Sequence, residues 1–163
     1  MPFSNLSNSE MIKLYGDVVK ELRTRKIIRT KNVVGDLGER LAIDYYSNTK
    51  GLVKLQDAPT GTQNIDAISS KGDRYSIKAL TGNTTGVFYG LPPKDSYDDI
   101  DQKFEFLIIV KFDENYELEK IIELTWKQFL EFKRWHSRMK AWNITLNKKL
   151  IGESVIVFDA ATR

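Results

Sequence analysis

The strongest constraint on this chain is a pair of apolar segments that each carry one charge. Ile65-Asp66-Ala67-Ile68 and Ile77-Lys78-Ala79 stand on either side of Ser70-Lys71-Gly72-Asp73. Apolar residues flanking a Gly-Asp turn predict a β-hairpin with strands over 64–69 and 74–80. A carboxylate and an ammonium among such neighbours are costly to bury unless they pair or hold a metal. Paired strands can bring both side chains to one open edge, the strand-end position where α/β sheets commonly bind ligands.

The rest of the chain supplies a frame for that hairpin. Asn8 or Ser9 is expected to cap a helix in which Met11, Ile12, Tyr15, Val18, Val19 and Leu22 recur at helical spacing. A second helix is expected from about Val33 to Tyr46, with Leu37, Leu41, Ala42 and Tyr45 on one face and a stop over 48–51. Leu52–Leu55 reads as a short strand, followed by a loop over 57–61. Phe104–Phe112 is the most convincing core strand, and Leu118–Leu124 its antiparallel partner after a turn at 113–115. Thr125 is expected to cap a helix from Trp126 to about Arg138, and Ser154–Phe158 closes the chain as a strand. Trp126, Trp135 and Trp142, with Phe129 and Phe132, recur near helical spacing, which points to core or an interface. This order predicts an α/β fold with flanking helices.

With 163 residues the chain is expected to form a single domain. Its parts are a helical arm over about 8–30, a core over about 33–124, and a C-terminal helix and strand over about 125–160. A hydrophobic share of 41% and a charged share of 29% are those of an ordinary soluble protein. No apolar run approaches the ~20 residues that span a bilayer, and MPFSNLSNSE has no signal-peptide core. Without cysteine there is no thiol nucleophile and no thiolate zinc site. A cytoplasmic enzyme with no membrane partner is the expectation. Basic residues crowd two stretches, Lys20–Lys31 and Lys127–Lys140, against an acidic knot at Asp95, Asp98, Asp99 and Asp101. Basic clusters attract phosphate backbones, although each alone also reads as a solvated face.

Asp66 and Lys78 suit phosphodiester hydrolysis. That reaction needs an activated water and stabilised charge on the phosphate. A carboxylate-bound magnesium ion (Mg2+) supplies both, and a lysine positions the water or neutralises the developing charge. Glu39, in Gly38-Glu39-Arg40 of the second helix, is the candidate for a further metal ligand or a water-mediated contact. Thr81-Gly82-Asn83-Thr84-Thr85-Gly86 lacks the Lys-Ser/Thr ending of a nucleotide-binding loop. Its Asn83, Thr84 and Thr85 offer hydrogen-bonding groups to DNA, or form an ordinary loop. His136, the only histidine, lies with Arg134 and Arg138 in a basic, aromatic stretch, where phosphate contact or a plain surface helix are both open.

The run Asn64-Ile65-Asp66-Ala67-Ile68, followed by Lys71-Gly72-Asp73-Arg74-Tyr75-Ser76-Ile77-Lys78, resembles the core motif of the PD-(D/E)XK nuclease superfamily. The helix run Gly35-Asp36-Leu37-Gly38-Glu39 resembles the preceding helix of many members, in which a glutamate faces the site. The resemblance covers about Val33 to Leu80, and in size and motif spacing it is closest to small dimeric type II restriction endonucleases. It implies a restriction-endonuclease-like mixed central sheet flanked by helices, and a magnesium-dependent endonuclease acting on double-stranded DNA as a homodimer. It also implies catalytic roles for Asp66, Lys78 and Glu39. A structure-specific or repair nuclease of the junction-resolvase kind would use the same residues. One position departs from the pattern: Ser76 stands where the family has its second acid. Glu39 then supplies the missing carboxylate, or Asp66, the Ile77 backbone carbonyl and water hold the metal, or the chain binds DNA with weakened or lost catalysis.

Overall fold

The computed structural model describes residues 3–162. Its frame is a six-stranded mixed sheet ordered β1 (Leu55–Asp57), β2 (Ala67–Ser69), β3 (Arg74–Leu80), β4 (Phe106–Phe112), β5 (Leu118–Thr125) and β8 (Val155–Asp159). Every neighbouring pair is antiparallel except β3 and β4. A parallel pair needs a long crossover. Residues 81–105 make it, and they carry the glycine- and threonine-rich segment and the acidic loop.

Strand β4 lies at the heart of the molecule. Leu107, Ile108, Ile109 and Val110 are each 0% exposed, so both faces of the sheet are covered. Ile108 and Val110 pack with Ala42, Ile43 and Tyr46 of helix α2 (Val33–Asn48). Leu107 and Ile109 pack on the other face with Phe88 of the crossover, Phe129 of α3 (Trp126–Phe132), Ile144, and Leu150 of α4 (Lys148–Glu153). Helix α1 (Asn8–Thr24) buries none of its residues. Among the described residues no helix is long and apolar enough to cross a membrane.

The hairpin forms where expected, and its second strand has the expected bounds. Gly72 has φ +88, a left-handed value that favours glycine, and so closes the turn between β2 and β3. The first strand is shorter than expected. Asn64 is left-handed (φ 60), and Asp66 lies just before β2. Its backbone still joins the ladder, its N–H donating to the Tyr75 carbonyl at 2.8 Å.

Several boundaries differ from expectation. Ser7 caps α1, in a reciprocal box with Glu10, because a serine three residues before a glutamate satisfies two free N–H groups. Strand β1 falls over Leu55–Asp57, leaving Leu52 and Val53 as apolar loop residues packed on the core. Thr125 caps α3 as expected, again in a box, with Gln128. The helix stops at Phe132, however, and Arg134–His136 form β6, paired with β7 (Ala141–Asn143) in a separate hairpin. Trp135 and Trp142 are direct cross-strand partners in edge-to-face contact. Helix α4, capped by Asn147, is an element without a counterpart in the sequence reading.

Candidate active site

The site is assembled around the N-terminal half of α2. Gly38 faces Ala79 of β3 so closely that a Cβ added at Gly38 would fall 2.2 Å from the Ala79 Cβ. Only glycine permits that approach, and it sets Glu39 beside the residues flanking Ala79. The loop before the helix is fastened by Asp36, which is buried. Its Oδ2 accepts the N–H groups of Arg29 (2.8 Å) and Thr30 (2.6 Å) and the Thr30 hydroxyl (3.0 Å). Arg29 is thereby held over the helix, and its guanidinium donates to Glu39 Oε1 at 2.5 Å. Arg40 spans both oxygens of Asp57 at 2.6 and 2.7 Å, tying α2 to β1.

Asp66 enters from the other side. Its Oδ2 accepts the Ile77 N–H at 2.7 Å. The N–H and carbonyl of a strand residue share one edge, so the Ile77 carbonyl belongs to the edge that Asp66 occupies. Lys78 is half-buried, with Nζ donating to the Val87 carbonyl at 3.2 Å and standing 4.7 Å from the Phe88 ring centroid. Two adjoining depressions meet here. One of about 330 Å³ runs from Arg29 and Thr30 to Thr62, and one of about 260 Å³ reaches Ile77, Lys78 and Gly86. Thr30, Asp36, Glu39 and Asp66 line both. A larger depression of about 780 Å³, bordered by Leu22, Leu37, Tyr45, Phe112 and Phe158, is mainly apolar and includes none of Glu39, Asp66 and Lys78.

Burial dominates the electrostatics of the site. Burial pushes the Asp66 carboxyl above the usual carboxylate range, against the pull of the Ile77 N–H, Lys78 and Arg29. Burial and then the Asp66 charge push Glu39 upward too, against the Arg29 hydrogen bond. Burial holds the Lys78 ammonium below the ordinary lysine range, partly opposed by Asp66. A divalent cation at the two carboxylates would reverse that penalty. Among the described residues no group of three or more His, Asp or Glu side chains is arranged so that it could hold a metal ion by itself. Magnesium is ordinarily held by one or two carboxylates with water and substrate phosphates. The donors Asp66, Glu39 and the Ile77 carbonyl fit that pattern.

Ser76 is set apart from this cleft. It is 0% exposed and lines neither depression, and its Oγ finds no hydrogen-bond partner among the described residues. Strand alternation places it on the same face as Lys78, one step deeper into the sheet.

The remaining sequence candidates fall into two groups, joined at one wall. Thr84 is exposed, and its hydroxyl lies 3.2 Å from that of Thr145. Thr85 is buried, its hydroxyl donating to the Gly86 carbonyl and accepting the Ile144 N–H, so it fastens two segments together. The exposed Asn83 accepts the Leu146 N–H with its backbone carbonyl. Arg134 and Arg138 are exposed on the β6–β7 hairpin, and His136 Nδ1 accepts the Met139 N–H. Sequence reasoning missed Arg29, Asp36 and Asp57 as parts of the site. Arg29 stands in a basic run, where nothing local marks it as a neighbour of Glu39, whereas the spacing of Asp36, three positions before Glu39 on the same helix, is a signal that could have found it. Compared with known proteins, the chain matches no protein-family model and no curated protein sequence.

Proposed function

We propose that this chain is a magnesium-dependent DNA endonuclease of the PD-(D/E)XK, restriction-endonuclease-like kind, and specifically a type II restriction endonuclease. One observation carries the reading. Residues as far apart as Glu39, Asp66 and Lys78 line one cleft, where burial raises both carboxyls. When bound, magnesium supplies Lewis acidity toward the phosphate and lowers the pKa of a water. Asp66 and Glu39 would hold it, with the Ile77 carbonyl at the strand edge that Asp66 occupies. Lys78, with an ammonium that burial makes easier to deprotonate, orients the attacking water and meets the charge that builds on phosphorus. Water adds to phosphorus and gives up a proton to solvent, the phosphorus–oxygen bond to the leaving nucleotide breaks, and the leaving oxygen takes a proton from solvent. Cutting both strands at one site calls for two such centres, which a symmetric homodimer on a palindromic target provides.

A second reading has its own observation. Ser76, buried and without a hydrogen-bond partner, stands where the resemblance calls for an acid. It favours a DNA-binding protein of the same fold with weakened catalysis.

The test is cleavage of unmethylated phage DNA by the wild type, Asp66→Asn and Lys78→Ala, with magnesium and with a chelator. Discrete bands from the wild type with magnesium are expected, with a loss of about 100-fold or more in either variant. A smear with the same dependence keeps a nuclease and rejects restriction. Preference for branched substrate assigns a structure-specific enzyme. Salt-sensitive binding with no cleavage, in manganese as well, assigns the second reading.

A further inference from the structure

We infer that the β6–β7 hairpin is a rigid basic arm that enters the major groove of duplex DNA beside the cleft. The inference rests on the DNA-directed reading above and names the element that makes the groove contact. Three observations carry it.

The first is charge. From Phe132 to Gly152 the chain has no acidic residue, while Lys133, Arg134, Arg138, Lys140, Lys148 and Lys149 fall within that stretch. Lys149 pairs with Glu131 at 3.8 Å, and Lys133 lies over the Trp142 ring at 3.5 Å. Arg134, Arg138 and Lys140 are exposed, and among the described residues no ion pair involves them, with the acidic loop at 95–101 or with anything else. Cations left unpaired at a protrusion are the electrostatic footprint of a phosphate-binding element.

The second is stiffness at the root and bareness at the tip. Ala141, Trp142 and Asn143 are buried, Trp142 meets Trp135 across the ladder, and the Trp142 Nε1–H donates to the Pro92 carbonyl at 2.8 Å. The loop Ser137–Lys140 is exposed throughout, with Met139 45% exposed between the two cations and Lys140 left-handed (φ 48). A two-stranded ribbon is of a size that the major groove, about 12 Å wide, admits.

The third is position. The root of the arm is built onto the crossover segment that touches Lys78. The Phe88 N–H donates to the Trp142 carbonyl at 2.7 Å, and Thr85 and Leu146 add further rungs. The neighbouring Val87 carbonyl accepts Lys78 Nζ. The arm therefore continues the wall of the cleft, and a groove-bound tip fixes where the sugar-phosphate backbone crosses it.

The experiment measures anisotropy of a labelled duplex with magnesium, in a Lys78→Ala background that retains the arm. Titrations run over a series of salt concentrations. Arg138→Ala with Lys140→Gly removes both tip cations, and glycine keeps the left-handed turn. The expected result is a loss of about tenfold or more in affinity and a salt slope shallower by about 2. Arg138→Lys in place of Arg138→Ala restores the slope in part. Protection of guanine N7 from methylation is expected with the arm intact and absent in the double variant. Equal melting temperatures show that the fold persists. If the double variant binds with unchanged affinity, slope and N7 protection while wild type cuts DNA, the arm is wrong and the nuclease stands. If neither protein binds duplex DNA, both fall together.

Discussion

Helices α1 and α2 are nearly the same length, 17 and 16 residues, and each opens on a polar side chain that caps the third N–H of the helix. Their fates differ. Helix α2 buries Asp36, Gly38, Ala42, Ile43 and Tyr46 against the sheet. Helix α1 buries nothing and leaves Met11, Ile12, Tyr15 and Val18 exposed. Apolar periodicity thus shows that a helix forms and which side is apolar, but not whether anything covers that side. Acidic residues on the two helices also respond oppositely. Ser7 pulls the Glu10 carboxyl below the usual range, and Lys13 does the same to Asp17, whereas burial and Asp66 push Glu39 above it. The same side chain is a surface partner on one helix and a largely buried, restrained one on the other.

The two central glycines give the sharpest way to break this comparison. At Gly38 a β-carbon meets Ala79, so Gly38→Val has to lift α2 from β3. A loss of about 3 kcal/mol in stability is expected, measured by denaturant unfolding. Cleavage should fall further than stability explains, because Glu39 moves with the helix. At Gly16 of α1 an added Cβ meets nothing within 4 Å. Gly16→Ala should therefore stabilise, by about 0.5–1 kcal/mol, through helix propensity alone. A destabilising Gly16→Ala would show that α1 is covered in solution, as a homodimer through this helix requires.

The smallest expected effect depends on pH. Because the folded-state pKa of Glu39 is raised, its contribution to stability is fully present below the ordinary carboxylate pKa. It is lost as pH rises through the raised folded value. At neutral pH the metal-free Glu39→Gln protein should melt above wild type, and that advantage should vanish on acidification below the ordinary carboxylate range. Glu10→Gln on α1 should show the opposite sign. There the lowered pKa contributes stability above the unfolded value, and that stability is lost as pH falls through the folded one. Equal melting curves for Glu39→Gln and wild type across the range would remove Glu39 from the list of strained groups.

Much of the fold is legible locally, and the exceptions have physical causes. The turn at Gly72, the strand Arg74–Leu80 and the cap at Thr125 rest on interactions within a few residues, and the structure keeps them. The stretch after Phe132 misleads because Trp135 and Trp142 are seven positions apart. That spacing puts two side chains on one face of a helix, yet across a four-residue loop it also makes them cross-strand partners. Cover from Pro92 and Phe88, distant in sequence, selects the hairpin. Asp66 is legible as an embedded charge in the same way as Lys78, but its position just outside β2, aimed at the Ile77 N–H, depends on the left-handed turn at Asn64.

By itself the sequence determined which segments become the hairpin, the central strand and the two long helices, and it put Asp66 and Lys78 on either side of one turn. These follow from periodicity, capping and turn chemistry, all short-range. Tertiary structure alone decided that Gly38 would seat α2 on Ala79 and so bring Glu39 to Asp66. It also decided that Arg29 would lean on Glu39, that Ser76 would be sealed away, and that a basic arm would stand on the wall beside Lys78. Such contacts join residues far apart along the chain. Their geometry is fixed only when the packing of the whole sheet and both its covers repays the entropy of bringing them together.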